Sequence, residues 1–186
     1  MAGLEFFLVL IILIFGLIGV GRGFLKELGV TLPLLVLLLF FTQLEALIGT
    51  ERLPGLLADL IARTGVMTLD FQGSRLALVA LYTLLVVITT FASYHGETLA
   101  FQGTPPKGPL GVLLGWLVGA VNGYLVGGTV WFYLDRYGYP IQRFSWFRME
   151  LTPTAQMMIP LLPPSLLSGL ILTFLVIGMV WLRVAR

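Results

Sequence analysis

Side chains that could do chemistry are few in this sequence and stand far apart. His95 is the single histidine and cysteine is absent, so thiol chemistry and Cys-ligated metals are excluded. A metal site needs several ligands, and no group of His, Asp or Glu surrounds His95 in the sequence. We interpret His95 as an interfacial side chain that bonds locally; ligation of a chlorin or haem is the alternative. No catalytic residue, metal or cofactor is predicted.

Polar residues inside the apolar stretches are the next candidates. Glu5 and Glu45 lie near the ends of such stretches and are predicted to be interfacial. A proton relay usually needs several ionisable groups facing a cavity, so a coupled transporter is not predicted. Asn122 lies deep in an apolar stretch, where a polar group usually bonds to a neighbouring helix. Passage of a polar solute is the other interpretation of Asn122.

Sequence motifs of enzymes are also missing. The chain has no G-x-S-x-G elbow, no G-x-G-x-x-G fingerprint and no P-loop. The net charge is +2, and the basic residues lie at helix ends and in connections, which is typical of membrane flanks. We therefore predict neither an enzyme nor a nucleic-acid-binding protein.

The elements that position these residues are apolar enough to be membrane helices. Hydrophobic residues make up 58% of the chain and charged residues 11%, with a mean hydropathy of +1.00. Soluble domains carry about 25% charged residues. Because about 20 apolar residues cross a hydrocarbon core, the sequence predicts an all-α, polytopic membrane protein with five transmembrane helices. The predicted spans are residues 4–20, 28–48, 76–92, 109–134 and 166–182.

Two connections have patterns of their own. Between the second and third spans, apolar residues from Leu53 to Ile61 repeat at helical spacing, which predicts a short interfacial helix. A packed cap outside the membrane is the alternative. Residues 136–165 alternate aromatic residues with arginine, as is typical of the headgroup region, and their prolines prevent a long helix. These aromatic residues are Tyr137, Tyr139, Phe144, Trp146 and Phe147.

These patterns divide the chain into three parts. Residues 1–135 form a four-helix core, residues 136–165 an interfacial loop rich in proline and aromatic residues, and residues 166–186 an additional transmembrane helix. Basic residues divide almost evenly between the two predicted sides, so the positive-inside rule leaves the orientation open.

Glycine recurs at strict four-residue spacing in the fourth span. The series is Gly111, Gly115, Gly119, Gly123 and Gly127. At 1.5 Å per residue it forms a groove about 24 Å long. Each glycine costs a helix up to about 1 kcal/mol relative to alanine, and close approach of another helix can compensate this cost. We predict a helix-packing face that includes Asn122, within the chain or between chains; lining a pore or a cofactor is the alternative.

The first connection has a recognisable motif. Arg22, Gly23 and Phe24 follow the first span, and Leu25-Lys26-Glu27-Leu28 comes next. Arg22 is suited to bonding helix-terminal carbonyls and lipid phosphate, Gly23 allows the turn, and Phe24 re-enters the apolar layer. The three residues are interpreted as a hairpin turn.

This opening resembles the colicin V production (CvpA) family, whose members begin with an acidic residue, an apolar helix and R-G-F before a basic–acidic pair. The glycine series and the aromatic–acidic exit ending at Asp135 are the second point of resemblance. The sequence departs from the family at Gly111 and Val112, where Asp-Arg is common, and at Asn122, where Arg is common. The fifth span is additional to the usual four.

The resemblance implies a multi-pass protein of the bacterial inner membrane with a four-helix core, and it implies no particular reaction. Combined with the glycine series, it predicts a non-enzymatic structural or accessory subunit. The expected partners are the lipid bilayer and other membrane-protein subunits, or further copies of the chain. The alternative function is a small oligomeric pore or export component.

Overall fold

The computed structural model describes residues 3–95, 101, 103–144, 151–167 and 169–184. Regular structure within these ranges is entirely helical. The α-helices are α1 (Leu4–Arg22), α2 (Phe24–Ile48), α3 (Leu53–Arg63), α4 (Phe71–His95), α5 (Gly108–Arg136), α6 (Pro153–Met158), α7 (Pro163–Leu166) and α8 (Gly169–Val184). Short 3₁₀ helices cover Pro140–Arg143 and Ile159–Leu161.

Four of these helices are long and apolar enough to cross a membrane. They are α1, α2, α4 and α5, with 19, 25, 25 and 29 residues. The prediction of an all-helical fold built from several membrane-length helices is therefore confirmed. α8 has 16 residues, so it is about 24 Å long and shorter than a hydrocarbon core of about 30 Å.

The turn between α1 and α2 is tighter than the sequence indicated. Gly23 alone separates the two helices; its φ is 88°, a region that favours glycine, and its N–H donates to the Gly19 carbonyl at 2.9 Å. α2 begins at Phe24, four residues before the predicted start at 28. Glu27 consequently lies in the first turn of α2 rather than in the connection between the two helices.

The helices alternate in direction across the bundle. Leu8 of α1 lies against Gly127 of α5, and Gly19 lies against Gly115, so α1 and α5 are antiparallel. α4 brings Tyr94 to the end of the bundle where α1 finishes and α2 begins. We call this the Arg22 end, and the opposite end, where α2 and α5 finish, the Arg136 end.

The segment after α5 does not stay at the end of the bundle. The Tyr124 hydroxyl donates to the Leu161 carbonyl, and Pro163 packs against Gly128. Gly128 and Tyr124 lie 8 and 12 residues before Arg136, which places these contacts about 12 and 18 Å along α5. Residues 161 and 163 therefore lie alongside α5, and the headgroup location of residues 136–165 stays a prediction. Residues 145–150, including Trp146 and Phe147, lie outside the described ranges.

α8 returns along α2 toward the Arg22 end. Gly169 lies near Thr42 and Gln43, while Leu172 is fully buried against the aliphatic residues of α2. The buried interior is aliphatic in this part and aromatic near the Arg136 end, where Phe41, Tyr82, Tyr133 and Tyr137 pack together.

Candidate functional site

The glycine series brings two helix backbones into direct contact. A Cβ atom added to Gly115 would lie 2.6 Å from the carbonyl oxygen of Gly19. A Cβ added to Gly119 would meet the carbonyl oxygen of Phe15. Any larger residue at either position must push α1 away from α5, so these two glycines pack within the chain.

The other glycines of the series face different surroundings. A Cβ on Gly123 would lie 2.9 Å from the Ile11 carbonyl oxygen, so Gly123 belongs to the same backbone contact. A Cβ on Gly127 would meet only side-chain tips, the nearest being Leu8 Cδ1 at 3.0 Å. Gly111 faces the carbonyl of Pro106, which precedes α5. The close contact with α1 is therefore built by the middle three of the five predicted glycines.

A polar cluster joins four helices at the Arg22 end. The Glu27 cluster consists of Arg22 of α1, Glu27 and Thr31 of α2, Tyr94 of α4 and Asn122 of α5. Arg22 Nη1 donates to Glu27 Oε1 at 3.3 Å, and the Tyr94 hydroxyl donates to Oε2 at 2.8 Å. Asn122 Nδ2 donates to the same Oε2 at 2.9 Å. One carboxylate thus bonds side chains of the three other helices.

Further contacts close this cluster. Thr31 Oγ1 donates to Asn122 Oδ1 at 2.7 Å, and Asn122 Nδ2 also reaches the Glu27 carbonyl at 3.1 Å. Arg22 Nη2 donates to the Tyr94 carbonyl at 3.3 Å, and its guanidinium lies 4.3 Å from the centre of the Tyr94 ring. Glu27 and Asn122 are fully buried. A buried charge with a partner and several hydrogen bonds is the arrangement that offsets desolvation.

The structure places each of the predicted residues in the following surroundings. Arg22, expected to bond helix-terminal carbonyls and lipid phosphate, bonds the Tyr94 carbonyl near the end of α4 and the Glu27 carboxylate. Gly23 forms the turn and Phe24 begins α2. Asn122 bonds to α2, which is the interhelical bonding that the sequence favoured, although the sequence did not identify Glu27 and Thr31 as its partners.

A second polar cluster lies at the Arg136 end. The Glu45 cluster consists of Glu45, Thr50, Arg136 and Tyr137. Arg136 Nε lies 3.2 Å from Glu45 Oε2, while Arg136 Nη2 donates to Thr50 Oγ1 at 2.9 Å. The Tyr137 hydroxyl donates to Glu45 Oε1 at 3.0 Å. Burial and the nearby Glu45 carboxylate raise the pKa of Tyr137, so its hydroxyl remains a proton donor.

A cavity of about 240 Å³ opens beside the Glu45 cluster. It lies where α2, α5 and α7 meet and has both charged and apolar walls. The lining residues are Thr42, Glu45, Ala46, Thr50, Phe132, Tyr133, Arg136 and Pro164.

The remaining candidate residues have local partners. His95 is exposed at the end of α4 and stacks on Phe91 with ring centres 5.4 Å apart. Glu5 accepts a hydrogen bond from Thr152 Oγ1 at 2.6 Å, which ties the start of α1 to the segment before α6. Within the described ranges, no three His, Asp or Glu side chains come together as a metal site would require.

The sequence did not identify Glu27, Thr31 and Tyr94 as site residues. The sequence places Glu27 in the connection between the first two spans, because charges usually mark helix ends. A signal was present, since Glu27 and Thr31 are four residues apart and share a helix face once α2 is extended back to Phe24. Tyr94 carried no comparable signal, because its role depends on how α4 packs.

Four membrane-length helices and a buried ionic cluster define a class, the multi-pass helical membrane proteins. Exposed apolar residues such as Leu17, Leu84 and Phe91 cover the long helices, as expected for a lipid-facing surface. No protein-family model, curated protein or solved structure matches the chain.

Proposed function

We propose that this chain is a non-enzymatic structural or accessory subunit of a membrane complex. The observation that carries the proposal is the apolar seal between the two polar clusters. Glu27 and Glu45 are 18 residues apart on α2, or about 27 Å. Beyond Thr31, which belongs to the Glu27 cluster, the buried residues of α2 before Glu45 are apolar, with Leu125 and Leu172 beside them and one buried hydroxyl, Thr129, on α5. The α2 residues are Leu32, Leu34, Leu35, Leu38 and Phe41.

This seal argues against a solute path through one copy of the chain. A polar path needs groups spaced closely enough to exchange a proton or an ion, and such groups are usually directed at a cavity. The Glu27 cluster instead bonds its members to each other. A pore between copies would need polar lining on an outer face, whereas the large exposed residues on α1, α4 and α8 are apolar.

The proposal also covers how α8 and α3 are placed in the membrane. We infer that α8 is a fifth crossing, because it runs from Gln43 toward Tyr94 alongside α2. We infer that α3 lies in the interface, because Leu56 and Leu60 stand exposed on it beside charged residues. The CvpA-like opening supports a location in the bacterial inner membrane, and we propose a divergent member of that family.

α8 is the surface we expect a partner subunit to use. It packs mainly against α2, and Leu172 is its sole buried residue among those described. Phe174 and Trp181 are 67% and 66% exposed, and aromatic residues are enriched in protein interfaces.

The test is gentle purification in native lipid discs, followed by identification of co-purifying proteins. We expect a stoichiometric membrane protein that is lost from the double variant Phe174→Ala, Trp181→Ala and retained by the matched double variant Leu84→Ala, Phe91→Ala on α4. Recovery of a homo-oligomer that conducts solute in reconstituted vesicles would instead establish the pore. Equal retention of the partner by both variants would rule out α8 as its surface.

A further inference from the structure

The geometry points to a binding site for the headgroup of a zwitterionic, primary-amine phospholipid in the cavity beside the Glu45 cluster. The cavity presents a guanidinium and a carboxylate, which would face the phosphate and the ammonium of such a headgroup. This inference concerns a lipid ligand and is independent of whether a protein partner binds α8.

The position of the cavity fits a headgroup. Glu45 and Arg136 lie within the last turn of α2 and α5 at one end of the bundle, where headgroups meet helix ends. A volume of 240 Å³ corresponds to about eight water molecules, which is similar to the number of heavy atoms in phosphoethanolamine. Pro164 leads on to Leu166 and Leu170, which are exposed and offer an apolar path for acyl chains.

The hydrogen-bonding groups are only partly used within the protein. Arg136 directs Nε to Glu45 and Nη2 to Thr50, and Nη1 has no recorded partner among the described residues. The side chain of Arg136 is 39% exposed, so phosphate can approach it. Glu45 Oε1 accepts a hydrogen bond from Tyr137 and Oε2 forms the ion pair with Arg136, so both oxygens retain lone pairs for an ammonium donor.

The balance of charge selects the headgroup class. One acid and one base line the cavity, so a net anionic headgroup would be repelled by Glu45 while attracted by Arg136. A quaternary amine cannot donate a hydrogen bond to Glu45 and is usually held by aromatic faces. The Phe132 ring is already covered by the Arg136 guanidinium, 5.4 Å from its centre. A primary ammonium therefore fits best.

The experiment is native mass spectrometry of the full chain released from vesicles that contain equal amounts of phosphatidylethanolamine, phosphatidylcholine and phosphatidylglycerol with identical acyl chains. We expect phosphatidylethanolamine to be retained about tenfold over phosphatidylcholine, because one charge-assisted hydrogen bond distinguishes them. Equal retention of the three lipids, or preference for phosphatidylglycerol, would overturn the proposal.

Substitutions in the cavity test which side chains select phosphatidylethanolamine. Glu45→Gln is expected to reduce the ethanolamine-to-choline ratio to near one, while Arg136→Gln should reduce retention of both lipids. Arg143→Gln is the matched control, because Arg143 lies at the same end but outside the cavity, and the ratio should stay as in the wild type. The ratio is measured within each folded sample, so a loss of yield does not mimic a loss of selectivity. An unchanged ratio in Glu45→Gln would refute the site.

A last measurement tests whether the site binds a membrane lipid or a soluble compound with the same headgroup. Glycerophosphoethanolamine, which has no acyl chains, is added to the lipid-loaded protein. We expect it to leave the bound lipid in place, because exposed Leu166 and Leu170 contribute only to a ligand with chains. Displacement at equal concentration would mean that the site binds the soluble compound and would overturn the assignment to a membrane lipid.

Discussion

The Glu27 and Glu45 clusters pair the same kinds of charge in different surroundings. The Glu27 side chain is 0% exposed and its partner Arg22 is 23% exposed, against 10% for Glu45 and 39% for Arg136. The first cluster joins four helices and has its groups bonded to each other. The second lies beside a cavity and keeps donor and acceptor capacity. An ion pair alone therefore does not indicate a ligand site. Hydrogen-bond donors and acceptors that remain free beside a cavity do indicate one.

The comparison is tested most strongly by removing each carboxylate. Glu27→Ala should lower the free energy of unfolding by about 3 kcal/mol, because Arg22, Tyr94 and Asn122 lose a shared buried acceptor. Glu45→Ala should cost about 1 kcal/mol, because the more exposed Arg136 can turn to water or headgroups. Reversible unfolding in mixed micelles measures both, and equal losses would contradict the distinction between the clusters.

Two glycines of α5, one against the backbone of α1 and one against side chains of α1, provide a second comparison. Gly119→Ala should destabilise the fold by about 2 kcal/mol, because the new methyl group meets the Phe15 backbone. Gly127→Ala should cost less than about 1 kcal/mol, since only the tips of Leu8 and Ile11 must move.

Gly178→Ala on α8 is the control for these glycine variants, because nothing lies within 4 Å of the added methyl group. Helix propensity alone should then make this substitution neutral or stabilising by about 0.5 kcal/mol. The same unfolding assay applies to all three variants. If Gly119→Ala behaves like Gly178→Ala, the close backbone contact of α1 with α5 is wrong.

A third ion pair, which joins exposed Arg143 and Asp70 outside both clusters, gives the smallest expected effect. Asp70 accepts from the Gly73 N–H and from Arg143 Nη1, each at 2.8 Å, and these bonds hold the pKa of its carboxyl below the usual value. A lowered folded-state pKa stabilises the protein above the unfolded pKa of about 4, and this contribution disappears as the pH falls through the folded-state value.

Asp70→Asn should therefore lower Tm slightly at neutral pH, with the difference from wild type vanishing at strongly acid pH. Asparagine preserves the helix cap, so the variant isolates the charge. Asp70→Ala also removes the cap, so its Tm should be lower than that of Asp70→Asn at every pH. Thermal unfolding as a function of pH measures these Tm values. If Asp70→Asn differs from the wild type by the same Tm at every pH, the charge of Asp70 is not what stabilises the protein.

The sequence alone predicted where the long apolar helices lie, but not which helices and side chains contact each other. Composition and span length located α1, α2, α4 and α5 because lipid requires continuous apolar helices. The glycine spacing indicated a packing face, but α1 as its partner depends on tertiary arrangement. Asn122 stood out as a polar residue at membrane depth, whereas Glu27 did not, because its burial follows from one residue, Gly23, making the whole turn.

The regular spacing of the glycines has a consequence for helix register. A groove that repeats every four residues has nearly the same shape after α5 slides by one repeat, about 6 Å, so the backbone contact alone does not select one position. Asn122 breaks this repeat, because only in one position does it reach Glu27, which also holds Arg22 of α1. We expect the buried carboxylate to fix the alignment of two helices that touch each other mainly through glycine, as a single polar residue does in a coiled coil.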